Sequence, residues 1–165
     1  YRNLAILPWA EDNLTAREAA EAVIFGSGRP VLLVPQSHVA SRIDHIAIAW
    51  DGSRVAARAL SDALSLLADG TRVTVMTAGD EKRLDTGIGE KLVDSLSRRA
   101  LQASHHVVSV GQRPVALALQ EACLEVGAGL LVMGAYGHSR LRDFIMGGAT
   151  KGVLAALFVP VLMSH

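Results

Sequence analysis

From Ile43 to His165, short apolar runs alternate with segments whose apolar residues recur every three or four positions. That alternation is the strongest constraint on the fold. Strands separated by helices must cross over, and right-handed crossovers build a mostly parallel sheet with helices on both faces. The first run is Ile43–Trp50, followed by Asp51-Gly52-Ser53. Ser53 is placed to cap a helix carrying Val55, Ala59, Leu60, Ala63, Leu64 and Leu67 on one stripe, with Gly70 as its stop. Arg72–Thr77 reads as the second strand. A charged, glycine-containing loop, Gly79–Gly89, leads to a helix with Leu92, Val93, Leu96 and Ala100 on one face, and His106–Val110 reads as the third strand. Pro114 stands where a helix start tolerates a missing N–H, ahead of the stripe Val115, Ala118, Leu119 and Ala122. Leu130–Met133 is apolar throughout, as a central strand covered on both faces requires. A last helix over about Gly148–Leu157 and a last strand, Val159–Met163, complete a βαβαβαβαβ order. The reading is an α/β, doubly wound, five-stranded parallel sheet.

The first forty residues add a strand (Leu4–Leu7), a helix (Thr15–Phe25) and a strand (Pro30–Val34). Ala22-Val23-Ile24 followed by Pro30-Val31-Leu32 repeats Gly152-Val153-Leu154 followed by Pro160-Val161-Leu162. Such self-similarity marks an internal repeat. The expected organisation is therefore a partial segment over 1–40 and a complete domain over 43–165. A strand–helix–strand piece cannot close a core alone, so it must pack on the complete domain or on another chain. Val159–Met163 reads as an edge strand, which predicts a homodimer, or a pseudo-dimer formed with Pro30–Val34.

Composition excludes several function classes. Lys and Arg together number 16, as do Asp and Glu, so the balanced charge offers no footprint for nucleic acid or for an acidic membrane. No apolar run reaches the ~18–20 residues that a membrane span needs. The single cysteine, Cys123, rules out an intrachain disulfide and a cysteine-based zinc cage, and in its Ala-rich context it reads as a small core residue. A cytoplasmic setting is the expectation.

Chemistry is expected beyond the carboxyl ends of the strands, where open α/β sheets bind ligands. Asp51 follows the first strand, and Gly134-Ala135-Tyr136-Gly137 follows Leu130–Met133, with Gly147-Gly148-Ala149-Thr150 nine residues further on. Glycines let backbone approach a ligand closely, and the first N–H groups of the helix behind them are unpaired. Together they suit phosphate oxygens. Thr150 offers a hydroxyl and His138 lies inside the loop, with Arg140, Arg142 and Lys151 nearby.

The run Leu130–Gly134, Gly137 and Gly147 resembles the G-x2-G-x9-G-[S/T] signature of the universal stress protein family. Ile46–Ser53 and Val159–Met163 are similar to that family's opening and closing strands, and the first forty residues resemble the tail of a preceding family domain, as in tandem members. The resemblance implies strand order 3-2-1-4-5 and an ATP or AMP site, with or without Mg2+. Asp51 would then meet the ribose or adenine side and Ala78 would offer backbone contacts to adenine. Gly134, Gly137, His138, Gly147, Gly148, Ala149 and Thr150 would surround the phosphates. One departure stands out: Gly148 occupies the position of the family's Ser or Thr, so one hydroxyl is missing unless Thr150 replaces it.

No nucleophile elbow or P-loop is present, and no carboxylate but Asp143 lies between Gly134 and Thr150. The expected function is a nucleotide-binding stress-response module with little or no turnover, not an enzyme. The alternatives are a nucleotide-free family member acting by dimerisation and partner binding, and, behind it, a slow ATPase. His105-His106 carries no acidic neighbour at ligand spacing and predicts no metal site. Trp50 fits either the rim of an adenine site or the core.

Overall fold

The computed structural model describes residues 3–9, 14–39, 42–78, 87–135 and 148–165. In chain order the elements are β1 (Ala5–Trp9), α1 (Leu14–Gly26), β2 (Val31–Pro35), β3 (His45–Ala49), α2 (Arg54–Leu64), β4 (Arg72–Ala78), α3 (Ile88–Ser97), β5 (Gln102–Val108), α4 (Val115–Glu125), β6 (Leu130–Gly134), α5 (Gly148–Val153) and β7 (Val161–Ser164). The strands form one seven-stranded sheet in the order β1-β2-β7-β6-β3-β4-β5. Every neighbouring pair is parallel except β2 and β7, which run antiparallel with Val31 opposite Met163 and Leu33 opposite Val161.

Period-two alternation splits the core between the two faces of this sheet. Ala47, Met76, Leu131 and Met133 point to one face and are covered by residues of α1, α4 and α5. Ile46, Ile48, Val73, Val75 and Val132 point to the other, under α2 and α3. Ile46, Ile48, Val75 and Val132 are wholly buried. Each such side chain contributes about 1.5–3 kcal/mol through loss of contact with water.

Several boundaries differ from those expected, each for a local reason. Strand β5, expected over His106–Val110, starts at Gln102 because it pairs residue for residue with Arg72–Ala78. As a sheet edge it tolerates exposed Gln102 and Ser104, which an apolar-run criterion passes over. Helix α2 ends at Leu64, not near Gly70, with the Ser65 hydroxyl donating to the Asp62 carbonyl. Helix α3 ends at Ser97, and Ala100, expected on its apolar face, is exposed in a left-handed turn at φ 60°. Helix α5 ends at Val153, short of Leu157. Beyond that end the buried Gln120 of α4 holds the chain, donating to Ala156 O at 2.8 Å and accepting from Phe158 N at 3.0 Å. Ser53 caps α2 as its sequence predicts, its hydroxyl accepting the Ala56 N–H at 3.2 Å.

Strand β7 pairs antiparallel with β2, within the Pro30–Val34 segment that the sequence offers as its partner, and parallel with β6 on its other flank, so it has no open side. The open edges among the described strands are β1 and β5.

Candidate functional site at the strand ends

Strand order reverses between β3 and β6, which pair in parallel from Ile46 opposite Leu130 to Ile48 opposite Val132. The chain leaves β3 through Asp51 and leaves β6 through Gly134, so these two expected residues emerge side by side at the carboxyl edge. Asp51 is exposed, and its Oδ1 accepts the Ser53 N–H at 2.9 Å. Gly52 supports this tight exit with φ 72°. Trp50 N donates to Met76 O at 2.8 Å, which ties the same exit to β4.

Gly134 is held by packing as well as by position. A Cβ there would stand 2.6 Å from the Val55 carbonyl carbon and 2.7 Å from Ala56 N, so the first turn of α2 can approach β6 only because residue 134 has no side chain. Ala78 closes β4, half-buried and in register with Val108. Ala149 is half-buried against the α4 side of the core, and Thr150 is buried at 3% exposure. Gly137, His138 and Gly147 lie outside the described residues. Gly148 is the first described residue of α5, which runs to Val153.

Sequence reasoning missed a polar chain beside this edge. His105 Nδ1 lies 3.1 Å from Glu90 Oε1, and His105 Nε2 lies 2.9 Å from Thr77 Oγ1. A carboxylate only accepts, so Nδ1 carries the hydrogen, and in the neutral ring Nε2 accepts from the Thr77 hydroxyl. Glu90's carboxyl is held below the usual carboxylate range, first by its own backbone N–H in the first turn of α3, with His105 assisting against partial desolvation. Gly89 makes room for the ring, since a Cβ there would sit 2.2 Å from Nε2. Glu90 reaches His105 from fifteen residues away through the fold, not at the spacing of a metal-ligand pair. Thr77 is only 4% exposed, so the chain braces α3 against β4 instead of presenting a nucleophile.

Trp50 is half-buried and lines a cavity of about 310 Å³ with Gly52, Ile88, Lys91, Leu92 and Ser95. Cys123 is wholly buried, and burial pushes its thiol up to about 12. Among the described residues no three His, Cys, Asp or Glu side chains converge as metal ligands, and no helix is long and apolar enough to cross a membrane.

The model of the universal stress protein family matches residues 42–165. The chain belongs to that family. A universal stress protein from Archaeoglobus fulgidus superposes with TM-score 0.73 at 19% identity, over 98% of this chain and 60% of the other. The present universal stress protein chain thus spans less than two thirds of that relative's length. A family member from Burkholderia pseudomallei matches at 27% identity and TM-score 0.53, over 76% of this chain and 98% of that one. UspA from Lactobacillus plantarum matches at 15% identity and TM-score 0.50, over 76% of this chain and 100% of its own. At these levels the Archaeoglobus and Lactobacillus likenesses speak for the universal stress protein fold alone. No curated protein matches the chain.

Proposed function

We propose that this universal stress protein holds an adenine nucleotide, ATP or AMP, at the crevice between Asp51 and Gly134, with little or no turnover. The observation that supports this most is the side-by-side emergence of these residues where the strand order reverses, the place at which open α/β sheets take ligands. Asp51 is exposed and already oriented by its bond to Ser53 N, which leaves the carboxylate's other oxygen for a ribose hydroxyl. Ala78 stands on the strand next to β3 and offers backbone to the base. The loop from Gly134 to Gly148 supplies the phosphate contacts, and Gly148 in place of Ser or Thr weakens them by about one neutral hydrogen bond, ~0.5–1.5 kcal/mol. The protein works in the cytoplasm in this reading, and self-association uses an open sheet edge, β1 or β5.

The test is mass spectrometry of small molecules released on denaturing freshly purified protein, followed by ATP calorimetry on the stripped form. Asp51→Ala is the informative variant because the residue is exposed and the fold should survive. Loss of a charge-assisted hydrogen bond predicts about ten- to hundredfold weaker binding with an unchanged circular dichroism spectrum. No released nucleotide, and no heat at millimolar ATP, would refute the reading. The chain would then be an interaction module.

A further inference from the structure

A second cavity, of about 270 Å³, opens on the α2 face of the carboxyl edge and is lined by Arg54, Val55, Arg58 and His165. Three of its four lining residues carry cationic or protonatable groups. We propose that it is an anion site, separate from the Asp51–Gly134 crevice, for a phosphate group, whether free or carried on a small molecule.

The side chains are prepared for this to different degrees. Arg58 is fixed from two directions: Nε donates to Asp62 Oδ2 at 2.9 Å and Nη2 donates to the Gly28 carbonyl at 3.2 Å. Among the described residues those two bonds leave the Nη1 hydrogens free to donate, in the fork geometry that suits oxyanions. His165 is oriented by donating Nδ1–H to the Ala135 carbonyl at 3.0 Å, and Phe25 sits edge-on to its ring at 5.1 Å. A carbonyl accepts only, so that bond fixes the tautomer, and Nε2 becomes a donor when the ring takes up a second proton.

Arg54 has no partner among the described residues. It occupies the first position of α2, where a cation opposes the helix dipole, and no acidic residue stands in that first turn. Asp62 offsets Arg58 alone. An arginine with no partner among the described residues, at the positive end of a helix and beside a second arginine and a histidine, is a local electrostatic conflict that a bound dianion removes. The site also joins the two repeats, since Phe25 and Gly28 come from the first and His165 from the last strand's exit.

The experiment is an NMR titration of the intact chain with inorganic phosphate, following the His165 imidazole and the arginine Nε–H resonances, with chloride at matched ionic strength as control. Saturable phosphate shifts at His165, Arg54 and Arg58 are expected, weakened about tenfold or more in Arg54→Ala and retained in Asp51→Ala. Arg54 is exposed, so its loss should leave the fold intact, which the amide spectrum checks. Shifts that match chloride and never saturate would overturn the proposal. So would phosphate shifts abolished by Asp51→Ala, because the anion would then belong to the nucleotide crevice. Retained phosphate binding in a chain that takes up no ATP would leave this site standing while the nucleotide reading fails. Competition by a sugar phosphate, read on the same resonances, distinguishes a carried phosphate from the free ion.

Discussion

Replacing Gly89 by alanine should change the sign of its effect according to what stands at residue 105. In the native chain the new Cβ would lie 2.2 Å from His105 Nε2, with Cδ2 at 2.4 Å and Cε1 at 2.8 Å, so the ring must swing away. That breaks the 2.9 Å bond to Thr77 and the 3.1 Å bond to Glu90, and strands the Thr77 hydroxyl, which is 4% exposed. Leaving one buried hydroxyl unpaired costs about 1–3 kcal/mol. Alanine in place of glycine in a helix returns about 0.5–1 kcal/mol. The net expectation is a loss of about 1–2 kcal/mol in urea unfolding, from the same two terms. In a His105→Ala background the obstruction and the bonds are already gone. Only the helix term remains, and Gly89→Ala should stabilise by up to about 1 kcal/mol. The four chains of this cycle therefore give a coupling energy with a defined sign. Gly89→Ala acting equally in both backgrounds would refute the brace formed by Thr77, His105 and Glu90.

Four further outcomes follow from other contacts. Gly152→Ala would bring a Cβ to 2.6 Å from Ala116 Cβ where α5 meets α4, so it should destabilise by about 1–3 kcal/mol in chemical denaturation, with partial recovery on adding Ala116→Gly. Cys123, buried and pushed up to about 12, should ignore a thiol-specific chromogenic reagent near pH 8 in the native state and react at once in urea. His45 is lowered from the ordinary histidine value of 6.5, first by burial and next by Arg72, so the folded state disfavours its proton. Stability should therefore fall as pH drops through that range, and His45→Asn should flatten the slope of unfolding free energy against pH; an unchanged slope would assign the dependence to other groups. Arg54→Glu should stabilise α2 by about 0.3–1 kcal/mol in thermal unfolding by complementing the helix dipole, while abolishing phosphate binding at its cavity.

The alternating pattern made the α/β architecture legible, because short runs such as Leu130–Met133, apolar at both parities and set between helical patterns, suit strands covered on two faces. The strand-end positions of Asp51 and Gly134 were legible for the same reason, as they directly follow such runs. Less legible was whatever depends on residues distant in sequence. The start of β5 is set by its register against β4, not by its own composition. The chain just past α5 is held by Gln120, more than thirty residues earlier, which donates to the Ala156 carbonyl. The bond between His105 and Glu90 arises from strand and helix placement that no local pattern encodes. Gly134 could be recognised as a special position, but the backbone of α2 pressing on it could not.

The antiparallel seam between β2 and β7 also orders events in time. Its two sides are separated by roughly 130 residues of chain, made at ~5–20 residues per second during synthesis. Helix α1 and strands β1 and β2 thus leave the ribosome roughly 7–25 s before the strand that completes their sheet exists. Over that interval Val31 and Leu33, wholly buried in the finished protein, have no partner strand on the β7 side. Those two residues are therefore the side of the seam that stays exposed to aggregation until β7 has been made.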